Sequence, residues 1–376
     1  MRTVDRVVTA LEEHGGATHS WLVGEPCFPP PAELTAALAR AARSSLFRYP
    51  PHAGLPELRQ VLATLHSEKD RPTTPDQIAI TNGAKGGLLA LLATLLEPGD
   101  ELIHPLPCYP AYPIMASRLG ARPVGVVEEG RHFSSWVEAA EARIGPRTRA
   151  IVLSSPSNPT GTTLSPKTAG SLVGLCRRHG LRLISDEAYV DFRFECTEGR
   201  LPSFCDPDRT TVVQVRSASK SWALCSWRLG WLLADSALIT QVARVHASLV
   251  NPASGPAQSA LCALGEVGDT YLEAARAAVA SRMNTVSSAL ADSGMPINDS
   301  EGGFYLWMDV GSQIEDSGAV DAAEWCEVLA RSRGVGLWPG DDFGGPGHVR
   351  LAVTAPPEAD WQAALTALTE ALSFEC

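Results

Sequence analysis

Gln77-Ile78-Ala79-Ile80-Thr81-Asn82-Gly83-Ala84-Lys85-Gly86-Gly87 is a short apolar run that breaks into small residues and then into a leucine- and alanine-rich stretch through Leu96. A few β-branched and apolar residues followed by a glycine turn and a helical pattern predict strand, turn and helix. The same beat returns along the chain, with strands predicted over 101–104, 150–154, 182–185, 211–215 and 227–234 and helices over 166–179 and 236–248. Strands separated by helices become parallel neighbours, so the fold class is α/β: a large domain with a mainly parallel sheet covered by helices on both faces. Ligands then belong beyond the carboxyl ends of the strands.

Each predicted strand ends on residues worth reading. Gly83, Ala84 and Lys85 put small residues where backbone amides point outward at a helix start, a geometry that captures phosphate or simply makes a turn. Strand 101–104 ends in Pro105-Leu106-Pro107-Cys108-Tyr109-Pro110-Ala111-Tyr112-Pro113, a stiff loop whose rings are free to stack on a flat ligand or to pack beneath the loop. Strand 150–154 leads to Asn158 in Asn-Pro-Thr-Gly, which is either a turn or an orienting amide. Strand 182–185 delivers Asp186-Glu187-Ala188-Tyr189, and an acid directly after an apolar strand has its pKa pushed up by burial unless a cation pairs with it.

Strand 211–215 delivers Ser217-Ala218-Ser219-Lys220-Ser221-Trp222-Ala223-Leu224-Cys225-Ser226-Trp227-Arg228-Leu229-Gly230. The chain has 31 basic residues, and lysine occurs only at 69, 85, 167 and 220. Lys220, between two serines and eight residues before Arg228, is therefore a place where an amine able to lose its proton is wanted, which arginine does not supply. A neutral lysine amine forms Schiff bases with carbonyls. A solvated lysine at a helix start is the plain alternative.

Outward from these strands, residues 3–13 and 32–43 read as helices flanking an extended, proline-rich segment, Trp21-Leu22-Val23-Gly24-Glu25-Pro26-Cys27-Phe28-Pro29-Pro30-Pro31. Tyr49 opens the loop Tyr-Pro-Pro-His-Ala-Gly-Leu-Pro-Glu-Leu-Arg. The alanine-rich stretch 255–290 reads as long helix, and a smaller set of strands and helices follows it. Within that set Arg350 sits in an apolar strand over 348–353, where a buried guanidinium wants a carboxylate or a structural ion pair. The expected division is a large domain at 49–265 and a discontinuous small domain from 1–48 and 266–376.

The composition narrows the function. A chain that is 45% hydrophobic and 19% charged, with a formal net charge of −11, offers no basic surface for nucleic acid. The nine cysteines are scattered without Cys-x-x-Cys pairs and the histidines lack ligand spacing, so reduced thiols and no metal are expected. The longest apolar run is too short to cross a bilayer, and the amino terminus lacks a signal core, so no membrane contact and a cytoplasmic location are expected.

Taken together, these motifs resemble the fold-type I pyridoxal-phosphate enzymes, in particular the class I and II aminotransferases, from Gly24 to Arg350 and in the family's order. The resemblance implies a pyridoxal 5′-phosphate cofactor on Lys220 as Schiff-base lysine. It places Ser217, Ser219 and Arg228 with Gly83, Ala84 and Lys85 on the phosphate, Asp186 on the pyridine nitrogen, and Tyr189 and Asn158 at the ring hydroxyl. Tyr109 is the stacking ring, Arg350 with Asn158 the clamp for a substrate carboxylate, and Gly24 the glycine of a mobile segment. Tyr49 matches a tyrosine that crosses a homodimer interface to the partner's phosphate. Two departures stand out: Ser226 where Gly-Trp-Arg is frequent, and Cys27 where Gly-Glu-Pro-Asp-Phe is frequent, in a segment expected near the substrate side chain. The implied reaction moves the amino group of an α-amino acid to a 2-oxo acid. Carbon–sulfur elimination, decarboxylation or oxidative deamination would use the same site. No second basic residue can be named from sequence as partner for a distal carboxylate, so a neutral, polar or unusual substrate side chain is expected ahead of aspartate.

Overall fold

The computed structural model describes residues 3–43, 48–68, 71–128, 133, 135–194, 206 and 209–373. After a two-residue strand β1 (His19–Ser20), the chain builds β2 (Ile78–Asn82), β3 (Glu101–Leu106), β4 (Arg122–Val127), β5 (Thr148–Ser154), β6 (Arg182–Asp186), β7 (Val212–Ser217) and β8 (Leu229–Leu233). These seven form one sheet in the order β2-β8-β7-β6-β5-β3-β4, in which only β8 runs against its neighbours. The sheet is buried on both sides, which is why its strands read as apolar runs. Alternate residues of β5 show this: Val152 packs with Leu91 and Leu92 of the helix Gly83–Leu95, whereas Ile151 and Leu153 pack with Leu172 and Val173 of the helix Pro166–His179.

Strand β4 was not expected. Pro123 and Gly125 interrupt its pattern, and both are tolerated because β4 pairs on one side only, with β3. The expected strand from Trp227 begins only at Leu229, because Arg228 takes a left-handed backbone (φ 55°) after a short 3-10 turn. The stretch 255–290 is not one helix. It divides into Gly255–Leu261, a 3-10 segment Cys262–Glu266 and Asp269–Asp292, with Val267 extended and Gly268 at the next helix start.

The remaining strands are β9 (Tyr305–Asp309), β10 (Val335–Gly336), β11 (Trp338–Pro339) and β12 (His348–Ala352). β12 lies between β11 and β9, antiparallel to both, and β1 pairs with β10. Val4, Val7, Trp21 and Leu22 share a core with Met283, Leu306, Cys326, Val349 and Leu368. The amino-terminal segment is thereby fastened to the carboxyl-terminal third of the chain, with Gly24 left facing the large sheet. Among the described residues, no helix is long and apolar enough to cross a membrane.

Candidate active site

Ser154, Asp186 and Ser217 are the last residues of β5, β6 and β7, and all three line one cavity of about 370 Å³. The opposite wall comes from Val23, Gly24, Glu25, Tyr305, Trp338 and Arg350. The site therefore sits where a parallel sheet presents its carboxyl ends.

Asp186 is buried and accepts hydrogen bonds from Tyr112 Oη at 2.8 Å and from the Ala188 amide at 3.2 Å. Burial pushes its carboxyl up to about 6, against the two hydrogen bonds that favour the carboxylate. Among the described residues no basic side chain forms an ion pair with it. It is a buried acid that lacks a cation.

Lys220 lies in the single-turn helix Ala218–Ser221, whose first turn is capped by Ser217 Oγ accepting from the Ser219 amide at 3.2 Å. Its Nζ donates to the Gly24 carbonyl at 2.7 Å. At one end of the cavity Arg228 meets the start of the helix Gly83–Leu95. Gly83 has φ +68°, and a Cβ there would lie 2.6 Å from Arg228 Nη2, so both conformation and space require glycine. Ala84, Lys85, Ser217, Ser219 and Arg228 line this end, giving a guanidinium, hydroxyls and a helix start with which to hold an anion.

At the other end Arg350 is 2% exposed. Its Nη1 donates to Asn158 Oδ1 at 3.0 Å and its Nη2 to the Leu22 carbonyl, while its Nε has no hydrogen-bond partner. The guanidinium lies 4.1 Å from the Tyr305 ring centroid and 4.4 Å from that of Trp338. Burial lowers its pKa, yet a guanidinium stays charged, so a carboxylate is the partner that would complete it. The Tyr189 hydroxyl shares a short hydrogen bond with that of Tyr305, and burial pushes the Tyr189 phenol well above its ordinary range.

Of the residues singled out in the sequence, Gly24, Ala84, Lys85, Tyr109, Asn158, Asp186, Tyr189, Ser217, Ser219, Lys220, Arg228 and Arg350 line the one cavity. Gly83 stands just behind it. Tyr49 is elsewhere, 82% exposed. Cys27 packs with Phe28 against the aromatic cluster of Tyr189, Phe192, Phe304 and Tyr305, while Val23, Gly24 and Glu25 of the same segment line the cavity. Lys85, with Nζ 5.6 Å from the Tyr109 centroid, joins Lys220, Arg228 and Arg350 as a cation on the cavity wall. Sequence reading missed the roles of Tyr112, Tyr305 and Trp338. The available signal was a phenol or indole inside an otherwise apolar segment, which needs a polar partner when buried.

Residues 19–368 match the family model for aminotransferase class I and II. The chain belongs to that family. Its aminotransferase relatives include the aspartate/prephenate aminotransferase of Thermus thermophilus, 34% identical over 89% of this chain and 86% of that protein. The arginine–pyruvate transaminase of Pseudomonas aeruginosa is 32% identical over 89% of this chain and 85% of that protein. The aspartate aminotransferase from Thermus thermophilus, solved with maleate, superposes with a TM-score of 0.88 at 31% identity, covering 99% of this chain and 96% of that one. The mainly parallel sheet with helices on both faces is thus the fold-type I aminotransferase architecture.

Proposed function

We propose that this aminotransferase holds pyridoxal 5′-phosphate on Lys220 and moves the amino group of an α-amino acid to a 2-oxo acid. The observation that carries the reading is Asp186, a buried acid without a cation that faces the same cavity as Lys220 and the carboxylate-seeking Arg350. The residues present fit the cofactor. Asp186 would pair with a protonated pyridine nitrogen, and Tyr189 and Asn158, on the same cavity wall, would meet the ring hydroxyl. Tyr109 offers a stacking face, and Ser217, Ser219 and Arg228 with the residues from Gly83 to Lys85 would hold the phosphate. The cofactor, when bound, supplies a ring that accepts the electrons left at the substrate's α carbon.

The rest falls to the chain. Arg350, steadied by Asn158, binds the substrate carboxylate and so orients the bond to be broken. Lys220, once released, is an amine that can take and return the α proton. We further propose a large part at 49–265 that carries the cofactor, a smaller one from 1–48 and 266–376, and a homodimer in which Tyr49 reaches the phosphate of the other subunit.

Borohydride reduction of purified protein followed by peptide mapping is expected to locate the cofactor on Lys220, and Lys220→Ala is expected to lack the cofactor's visible band and turnover. An adduct on Lys85, or none, defeats the assignment. In a half-reaction with excess amino acid the visible band is expected to give way to that of the amine form of the cofactor and to return on addition of a 2-oxo acid. Release of a thiol, ammonia or carbon dioxide with the band restored unaided would favour elimination, oxidative deamination or decarboxylation instead. Run over neutral, polar and acidic amino acids, the same assay reads whether the site admits a distal carboxylate.

A further inference from the structure

The Tyr305 phenol touches three parts of the site at once. Its hydroxyl is the sole hydrogen-bond partner of the Tyr189 hydroxyl among the described residues. Its ring carries the Arg350 guanidinium at 4.1 Å. A Cβ on Gly24 would collide with its hydroxyl, so the Gly24 segment packs directly on it. Tyr305 is itself held firmly, as the first residue of β9, in register with Ala352 of β12 and two residues along β9 from Trp307, the partner of Arg350.

Each phenol has one proton, so in the Tyr189–Tyr305 pair one oxygen donates and the other accepts. The guanidinium lies over the Tyr305 ring and draws electron density from it, which makes Tyr305 the better donor. Tyr189 then accepts, and its own proton must point elsewhere. Tyr189 lines the cavity, which is the space open to that proton. A phenol that accepts one hydrogen bond also donates a stronger one, because chains of hydrogen bonds polarise one another.

We infer that Tyr305 is a positioning residue: by donating to Tyr189 it turns the Tyr189 proton into the cavity, toward the oxygen on the cofactor ring that Tyr189 is proposed to adjoin. The inference rests on the proposed placement of the cofactor and adds to it a residue that acts through Tyr189. A proton donated to that oxygen stabilises its anion, so the cofactor's visible band titrates at lower pH than it would without the donor.

The test is a spectroscopic pH titration of holoenzyme without substrate. Tyr305→Phe keeps the ring under Arg350 and against Gly24 and deletes one hydroxyl. It is expected to retain the cofactor, with the midpoint of the visible band raised by a few tenths of a pH unit. Tyr189→Phe is expected to raise the midpoint further, and Tyr305→Phe added to Tyr189→Phe is expected to change nothing more, since the second hydroxyl acts only through the first. A midpoint that stays put or falls in Tyr305→Phe overturns the inference. So does an additive effect in the double variant. If Tyr189→Phe itself leaves the midpoint unmoved while Lys220 still carries the cofactor, the placement of Tyr189 fails, and the inference falls with it for that separate reason.

Discussion

Asp186 can be read in the sequence as an acid in need of a cation, and the geometry gives that need a pH dependence. Its pKa in the folded chain without cofactor is raised from 3.8 to about 6, so the folded state holds the proton more tightly than the unfolded state. Its contribution to stability is therefore fully present below about 4 and is lost as pH rises through 6, at a cost of about 3 kcal/mol for a shift of this size. Urea unfolding of cofactor-free protein at pH 4 and at pH 7 is expected to show that loss in the wild type and not in Asp186→Asn. Tyr112→Phe, which removes a donor to the carboxylate, is expected to move the loss to higher pH. A stability profile that is the same in the wild type and Asp186→Asn would show that the acid is not desolvated as described. Lys220, Asp186 and Arg350 were legible because each is a polar group set against an apolar strand. Tyr112 and Tyr305 were not, because their partners lie 74 and 116 residues away and nothing local marks the pairing.

Among the elements, the junction between β8 and the helix Gly83–Leu95 positions the anion end of the cavity. Gly230 on β8 pairs with Thr81 on β2, and a Cβ at Gly230 would stand 2.5 Å from the Ala84 amide and 2.7 Å from the carbonyl carbon of Gly83. These are backbone atoms, so the helix start itself would have to shift. Gly230→Ala is expected to cost roughly 1–3 kcal/mol of stability and to weaken retention of the cofactor, measured by denaturant unfolding and by dialysis against phosphate buffer. Wild-type values for both would mean that the helix start is less tightly placed than these distances imply. The beat of strand and helix made most of the large sheet legible, since buried strands are apolar whichever face is considered. Edge strand β4 escaped because proline and glycine are admitted where pairing is one-sided, and the break near Val267 escaped because alanine-rich sequence on both sides continues the helical pattern across it.

For the whole molecule, Tyr49 tests whether one chain makes a complete site. Its side chain is 82% exposed, although it belongs to a loop whose Gly54 packs tightly on Ile80 of β2. Light scattering is expected to give a dimer, and Tyr49→Phe is expected to remain dimeric while releasing cofactor about tenfold more readily, the loss of one hydrogen bond to a charged group. A fully active monomer would exclude sharing. The scarcity of lysine has a practical consequence at this scale. The chain has four lysine side chains, and two of them, Lys85 and Lys220, line the same cavity. An amine-directed acylating reagent thus finds half of its lysine targets at one address, and protection of both by ligand reports occupancy of that address with little background labelling from the rest of the surface.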